Sequence, residues 1–497
     1  MSHPRSLASA LLQDGARLMR RELGRWGLRG VVARLPHYLK RSGQIWRARQ
    51  QRSADAPPAA APTLPPRLHP ELLETPPHAL AASVTVILPT LNAGPEFALL
   101  LRKLRAQEGV PPLEILVIDS GSTDGTVAMA QAAGARVIEI APETFSHSGT
   151  RNLGAEQAGG EFLLFMVQDA YPIGRLWVHG LLSYLLDHRD EGLAAVSCTE
   201  YCRGDSDLMY EVGIGSYYDF LGCRLRDRIG HLQGTDHESL RSMGQLSDVS
   251  CLVPRELFLG YRYRGSYAED MDLGVRFIRD GRRIAMLASV KVIHSHNRSA
   301  WYYLRRTFVD IRFLVDVFDD FQLPRCESAQ GLVAGAAHLG REVDAWSRHM
   351  AASGAGGSMH DAAAAWLARL RDLPIDGMLP AGPLELDDAR LDAFLRDQLA
   401  SVQGWPGEAG AAVQRSARYI VDDFVARFGH FNHCAAQAYR GEDARLRAEW
   451  IAAAAKAFAA TLGHTMAVLV LDRRDKPCPD AERRWLDRMA ATLSAGV

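Results

Sequence analysis

Apolar and polar positions along this chain follow two different periods, and the change from one to the other marks out its architecture. VTVILPT (84–90) is a short, β-branched apolar run stopped by a proline, which predicts a buried strand running into a loop. Helical spacing over Glu96–Gln107 comes next, followed by a second apolar run, LEILVIDS (113–120). A helix over Thr126–Ala133 and a third strand, ARVIEI (135–140), complete the pattern. Strands alternating with helices at this spacing predict an α/β unit with a parallel, doubly wound sheet. Such sheets bind ligands outside the carboxyl ends of their strands. Here those ends are Pro89–Asn92, Asp119–Asp124 and Gln168–Ala170.

From about Phe321 onward the period becomes helical throughout, in alanine-rich stretches such as DAAAAWLARLRDL (361–373) and RLRAEWIAAAAKAFAATL (445–462). These predict an α-helical bundle. Ahead of the first strand, residues 4–50 show helix-like apolar spacing among arginines. Eight of the 24 prolines then fall between Pro57 and Pro77, among alanines, and read as an extended linker. The expected division is a basic amphipathic segment (1–52), a linker (53–81), an α/β domain (82–320) and a helical domain (321–497).

Composition changes this picture in three places. Over 497 residues the net charge is -1, which argues against a general nucleic-acid binder. Residues 1–52 nevertheless hold twelve Arg and Lys against Asp14 and Glu22, about +10 in all. That segment can lie in the headgroups of an anionic membrane, or dock on the rest of the protein with its charges solvated. No apolar run approaches the roughly 20 residues that span a bilayer, and arginines interrupt any signal-peptide core. The expected location is therefore cytoplasmic, with the inner face of the cytoplasmic membrane as the surface that residues 1–52 can contact if they are not docked on the protein. Seven scattered cysteines fit neither a disulfide framework nor a zinc module and read as reduced thiols. In the C-terminal part, His430, His433 and Cys434 lack a second ligand pair and read as packing residues.

Four motifs carry candidate chemistry. In DSGSTDGT (119–126), a strand ends on Asp119, and Gly121 and Gly125 permit the tight loop that feeds a helix. Its carboxylates can accept from a pyrimidine N–H or a ribose hydroxyl, or the loop can be an Asx turn with ordinary capping by Ser122, Thr123 and Asp124. In FLLFMVQDAYP (162–172), a hydrophobic strand delivers Gln168 and Asp169 to a loop. A carboxylate there needs a partner, either a divalent cation bridging phosphate oxygens or a helix to cap. In SYAEDMDLGVRFIRDG (266–281), Glu269 and Asp270 open a helix, as a general base or as acidic decoration of a first turn. In VKVIHSHNRSAW (290–301), His294 and His296 project to one side of an extended chain, as metal or phosphate ligands or as structural residues.

Taken in order, PTLN (89–92), DSGSTDGT, a strand-end aspartate, Glu-Asp and the histidines resemble glycosyltransferase family 2 and its GT-A fold over roughly residues 82–320. One motif departs from that family: its Asp-x-Asp metal motif is here Gln168-Asp169-Ala170. HSGTRNLGAEQAGGEFLLFMVQDA (147–170) and SHNRS (295–299) are similar to the bacterial branch that uses dTDP-L-rhamnose. By this resemblance Pro89, Thr90, Asn92, Asp119, Gly121, Ser122 and Asp124 surround the nucleotide. His147, Arg151 and Asn152 approach the diphosphate or the sugar, beside Gln168. Asp169, with His294 or His296, holds Mg²⁺ or Mn²⁺. Asp270 is the catalytic base and Glu269 orients it.

The resemblance implies an inverting transfer of a sugar, L-rhamnose foremost, to a glycan or lipid-linked saccharide in surface polysaccharide synthesis. In that reaction the metal and Arg151 balance the charge on the departing diphosphate. The alternatives are a transferase using a UDP-sugar and an inactive sugar-nucleotide-binding assembly protein. A dinucleotide oxidoreductase is set aside, because PTLNAGPE offers one glycine where GxGxxG needs three.

Overall fold

The computed structural model describes residues 78–353, 358–373, 384–403, 405, 410–439, 444–474 and 476–495. The basic segment expected at 1–52, and the linker as far as residue 77, lie outside the described residues. The described residues form two compact units, one of residues 78–297 and 313–321, the other of residues 298–312 and those from 322 onward.

The first unit is built on a nine-stranded sheet of order β3-β2-β1-β4-β8-β6-β9-β5, with β7 also pairing β9. Here β1 is Val84–Thr90, β2 Glu114–Asp119, β3 Arg136–Glu139, β4 Phe162–Met166 and β5 Tyr171–Pro172. β6 is Leu193–Tyr201, β7 Arg228–Gly230, β8 Ser250–Pro254 and β9 Arg283–Ile293. From β3 to β4 every pairing is parallel, as the alternation of strands and helices predicts. Beyond β4 the sheet is mixed: β8 runs antiparallel to both β4 and β6, while β9 is parallel to β6.

β1 is central and buried along nearly its whole length, which accounts for its unbroken apolar run. Its Pro89 is tolerated because the pairing with β4 ends at Ile87↔Phe165, so the missing N–H breaks no ladder bond on that side. On one face of the sheet, Val84, Val86 and Leu88 pack with α1 (Phe97–Arg105) and α4 (Trp177–Asp187). On the other face, α3 (His147–Gln157) comes close enough that a Cβ on Gly154 would lie 2.5 Å from Ile87 Cγ2. The remaining helices of this unit are α2 (Thr126–Ala132), α5 (Leu208–Leu221), α6 (His237–Gly244), α7 (Arg255–Tyr261) and α8 (Glu269–Arg279).

The second unit is helical. Ala329–Ala352 packs on Gly410–Ala438 and Ala444–Arg473. Its Gly331 and Gly335 let the backbones approach, since Cβ atoms there would fall 2.3 Å from Val413 O and 2.7 Å from Ala417 Cα. Trp346 stacks on Trp366 at 4.6 Å within this core. The expectation that nothing is apolar enough to span a bilayer meets one exception: Arg445–Arg473 passes by length and mean hydropathy. An inward-facing bundle helix accounts for that composition, because 72% of its apolar window is buried inside the protein. His430 and Cys434 approach within 3.7 Å on the Gly410–Ala438 helix, while His433 pairs with Gln437. All seven cysteines are free.

Candidate active site

Three loops at the carboxyl edge of the parallel strands are tied into one platform. Asp119 ends β2 fully buried and accepts four hydrogen bonds. Its Oδ2 receives Thr90 Oγ1 at 2.7 Å and Ser122 Oγ at 2.6 Å, and its Oδ1 receives the N–H groups of Gly121 and Ser122. Asp124 clasps the first loop through Gly94 N at 2.8 Å and, in an Asx turn, accepts from the N–H and the hydroxyl of Thr126. Asn92, at φ 46°, donates its N–H to Ser122 Oγ and accepts from Thr123 N. Gly121 (φ 95°) and Gly125 (φ 89°) take the left-handed turns that the loop needs. The DSGSTDGT carboxylates are thus engaged in turns that shape the platform.

Gln168 completes the platform. Its Oε1 accepts from Leu91 N at 2.9 Å, and its Nε2 donates to Leu91 O at 3.2 Å. Beside it opens a cavity of about 280 Å³ whose lining includes Pro89, Thr90, Phe145, His147, Arg151 and Gln168. The N-terminus of α3 faces this space, capped by Ser146 Oγ on Gly149 N.

Sheet pairing assembles the second constellation. β5 runs antiparallel to β9 with Tyr171 opposite Ile293. Continuing that register sets Asp169 level with Ser295, between His294 and His296. Asp169 Oδ1 lies 3.7 Å from His294 Nε2, and its Oδ2 lies 3.6 Å from His296 Nδ1. Ligand atoms from all three fall within 4.8 Å of one another, the single such group among the described residues. One carboxylate oxygen and two imidazole nitrogens converging at a strand-end loop fit a divalent cation with phosphate and water in the remaining positions.

The third constellation surrounds a buried guanidinium. Arg151 Nε lies 3.1 Å from Asp248 Oδ2, and its Nη1 lies 3.1 Å from Glu269 Oε1. Tyr263 donates its hydroxyl to Asp248, and Asp248 N donates to Asp270 Oδ2 at 3.3 Å. Two carboxylates thus pair with one guanidinium, and Asp270 lies beside Asp248. Burial, together with Asp248 and Glu269, pushes the Asp270 carboxyl up to about 7. Burial also raises Asp248, against the pull of Arg151. Ala268, immediately before this pair, sits at φ 47°, a left-handed conformation that is strained for alanine and sets the entry to α8.

The structure therefore groups the expected residues by position. Pro89, Thr90, His147, Arg151 and Gln168 line the cavity. Asn92, Asp119, Gly121, Ser122 and Asp124 form its platform, and Asp169, His294 and His296 converge. Two of the expected residues also bond to neighbouring protein groups. Asn152 spends its amide on both backbone groups of Tyr263, and the Arg151 charge is already balanced by Asp248 and Glu269. Glu269 accordingly reaches Arg151. Sequence reasoning missed Asp248, Tyr263 and Glu200. Glu200 near the end of β6 carries the same signal as Asp119 and Asp169, a charge closing an apolar strand.

Residues 85–240 match the family described as glycosyl transferase family 2. The chain is 28% identical over 235 residues to the O-antigen chain rhamnosyltransferase WbaN of Salmonella anatum, covering 46% of this chain and 70% of that protein. It is 25% identical over 243 residues to the O-antigen chain rhamnosyltransferase RfbN of Salmonella typhimurium, covering 45% and 70%. Among solved structures, the mannosyltransferase PcManGT of Pyrobaculum calidifontis, in complex with GDP-Man and Mn²⁺, aligns at 19% identity and a TM-score of 0.37. That alignment covers 50% of this chain and 68% of that one.

Proposed function

From the premise that this chain is a glycosyltransferase, with a family 2 domain at residues 85–240, we propose that it transfers L-rhamnose from dTDP-L-rhamnose, with inversion, to a saccharide hydroxyl. The acceptor is a glycan or lipid-linked saccharide of a surface polysaccharide, in keeping with the relatives named as O-antigen rhamnosyltransferases. The chemistry belongs to residues 82–320. The basic residues 1–52 provide the contact with the membrane that carries the acceptor.

The observation that carries this reading is the convergence of Asp169, His294 and His296 beside a cavity walled by the strand-end loops. These three residues would hold a divalent cation, which would supply positive charge against the diphosphate. Two imidazoles favour Mn²⁺ over Mg²⁺, which prefers oxygen ligands. The platform of Thr90, Asn92, Asp119 and Asp124 holds the loops that face the nucleotide, with Gln168 fixing Leu91. Asp270 accepts the proton of the attacking hydroxyl, and its raised affinity for protons suits a base working near neutral pH. Direct attack from the face opposite the leaving group inverts the anomeric carbon in one displacement.

Thermal denaturation with dTDP, UDP or GDP, each with and without Mn²⁺, tests this. A nucleotide at a hundred times its Kd adds about 2.7 kcal/mol to the folded state. The expected result is metal-dependent stabilisation by dTDP above the others, followed by turnover of dTDP-L-rhamnose. A preference for UDP discards rhamnose and keeps the transferase. Absence of any response sinks the proposed donor site.

A further inference from the structure

We propose that Glu200 is a positioning residue for the cation site, holding the proton of His294 on Nδ1 so that Nε2 is left as the metal-facing nitrogen. This rests on the reading of Asp169, His294 and His296 as a cation site.

The placement comes from the sheet. β6 and β9 run parallel with Glu200 opposite Val292, and His294 lies two residues further along the same face. His294 N donates to Tyr201 O at 2.9 Å, which continues the pairing past the end of β9. The Glu200 side chain is buried, as is that of His294. Three donors converge on its carboxylate. Its Oε2 takes His294 Nδ1 at 2.5 Å and Tyr210 Oη at 3.1 Å, and its Oε1 takes Tyr218 Oη at 3.1 Å. Tyr218 is itself fixed, because its hydroxyl accepts from Glu200 N at 3.0 Å.

The chemical consequence is specific. A carboxylate that collects donors requires His294 Nδ1 to carry hydrogen, which leaves a lone pair on Nε2. Nε2 is the nitrogen 3.7 Å from Asp169 Oδ1. Were the hydrogen on Nε2 instead, His294 would donate toward Asp169 and close the gap that the cation needs. With a cation bound, the arrangement would be a carboxylate–histidine–metal relay, in which the outer carboxylate fixes the ring orientation of the ligand. The same aim fixes the ring of His294 edge-on to that of His296, at 4.5 Å and 85°.

The test is Mn²⁺ binding by the full-length protein without nucleotide, read from the electron paramagnetic resonance signal of free Mn²⁺. Glu200→Gln is expected to raise the Mn²⁺ Kd by about 10–100-fold, with the metal-free melting temperature near that of the wild type. Glu200→Asp, which keeps the charge but withdraws it by one methylene, is expected to show a loss of the same order and serves if the glutamine variant does not fold. In a His294→Gln background the Glu200→Gln effect should vanish, because Glu200 acts through that ring. A wild-type protein that takes up no Mn²⁺ overturns the cation site and this inference together. Wild-type binding that Glu200→Gln and Glu200→Asp leave unchanged overturns the role of Glu200 alone. An equal loss with and without His294 also overturns that role, by showing that Glu200 supports the fold.

Discussion

At the scale of single residues, the site depends on how many charges share one buried volume. Asp248, Glu269 and Asp270 face one guanidinium, so full ionisation would leave two uncompensated negative charges in a poorly solvated place. The protein relieves this by keeping Asp270 easily protonated. Asp270→Asn is expected to lower kcat by about 10²–10⁴-fold, the usual weight of a general base, while dTDP binding stays close to wild type. In the wild type, log kcat/KM should rise with pH and level off above about 7, as Asp270 passes from protonated to ionised. The asparagine variant should lack that limb, and a rate unaffected by the substitution would remove Asp270 from the mechanism. Arg151→Met removes the shared cation. It should cost about 3–5 kcal/mol in urea denaturation at pH 7, less at pH 5 where the carboxylates can take up protons. Gln168 marks the same scale from the other side. Its amide both donates to and accepts from Leu91, a reciprocal pair that an aspartate cannot make because a carboxylate has no donor. The departure from Asp-x-Asp thus has a structural use, and Asp169 is left with two histidines.

At the scale of elements, α8 must lie close to the end of α6 to bring Asp270 beside Asp248. Two glycines allow it: a Cβ on Gly274 would lie 1.9 Å from Gly244 O, and one on Gly244 would lie 2.8 Å from Val275 Cγ2. Backbone cannot yield as a flexible side chain does. Gly274→Ala is therefore expected to destabilise the protein by about 1–3 kcal/mol in urea denaturation. It should also slow turnover, since α8 carries Glu269 and Asp270. Unchanged stability would show that α8 can slide without consequence. The helix boundaries were legible to within a few residues, because amphipathic spacing and caps are local. The close approach of α6 and α8 was not, since a glycine inside a helical pattern looks the same whether it faces backbone or water.

For the whole molecule, the acid cluster ties stability to pH. Between its ordinary value and about 7, Asp270 holds in the folded state a proton that the unfolded chain has lost. The native state binds more protons there, so stability falls as pH rises through that window and levels off above it. Asp248, pushed upward by burial, acts in the same sense. Urea midpoints from pH 5 to 8 should therefore decline in the wild type, and Asp270→Asn should flatten part of the decline. A wild-type midpoint that rises steadily over this range would contradict the proton count.

The sequence by itself determined the α/β unit, the helical unit and the strand ends at which chemistry collects. Hydrophobic period, β-branched runs and turn residues are properties of a few neighbouring positions, and so are the placements of Asp119, Asp169, Asp270 and His294. Only the tertiary structure decided which of these groups meet. The partners of Arg151 lie about a hundred residues away, and nothing near Arg151 names them. Glu200 reaches His294 because the β6–β9 register shifts between Cys198↔Leu287 and Thr199↔Lys291, where Asp227 collects the N–H groups of Ala288 and Ser289. An irregularity of that kind is fixed by long-range pairing and by a carboxylate some sixty residues distant, so no local pattern records it.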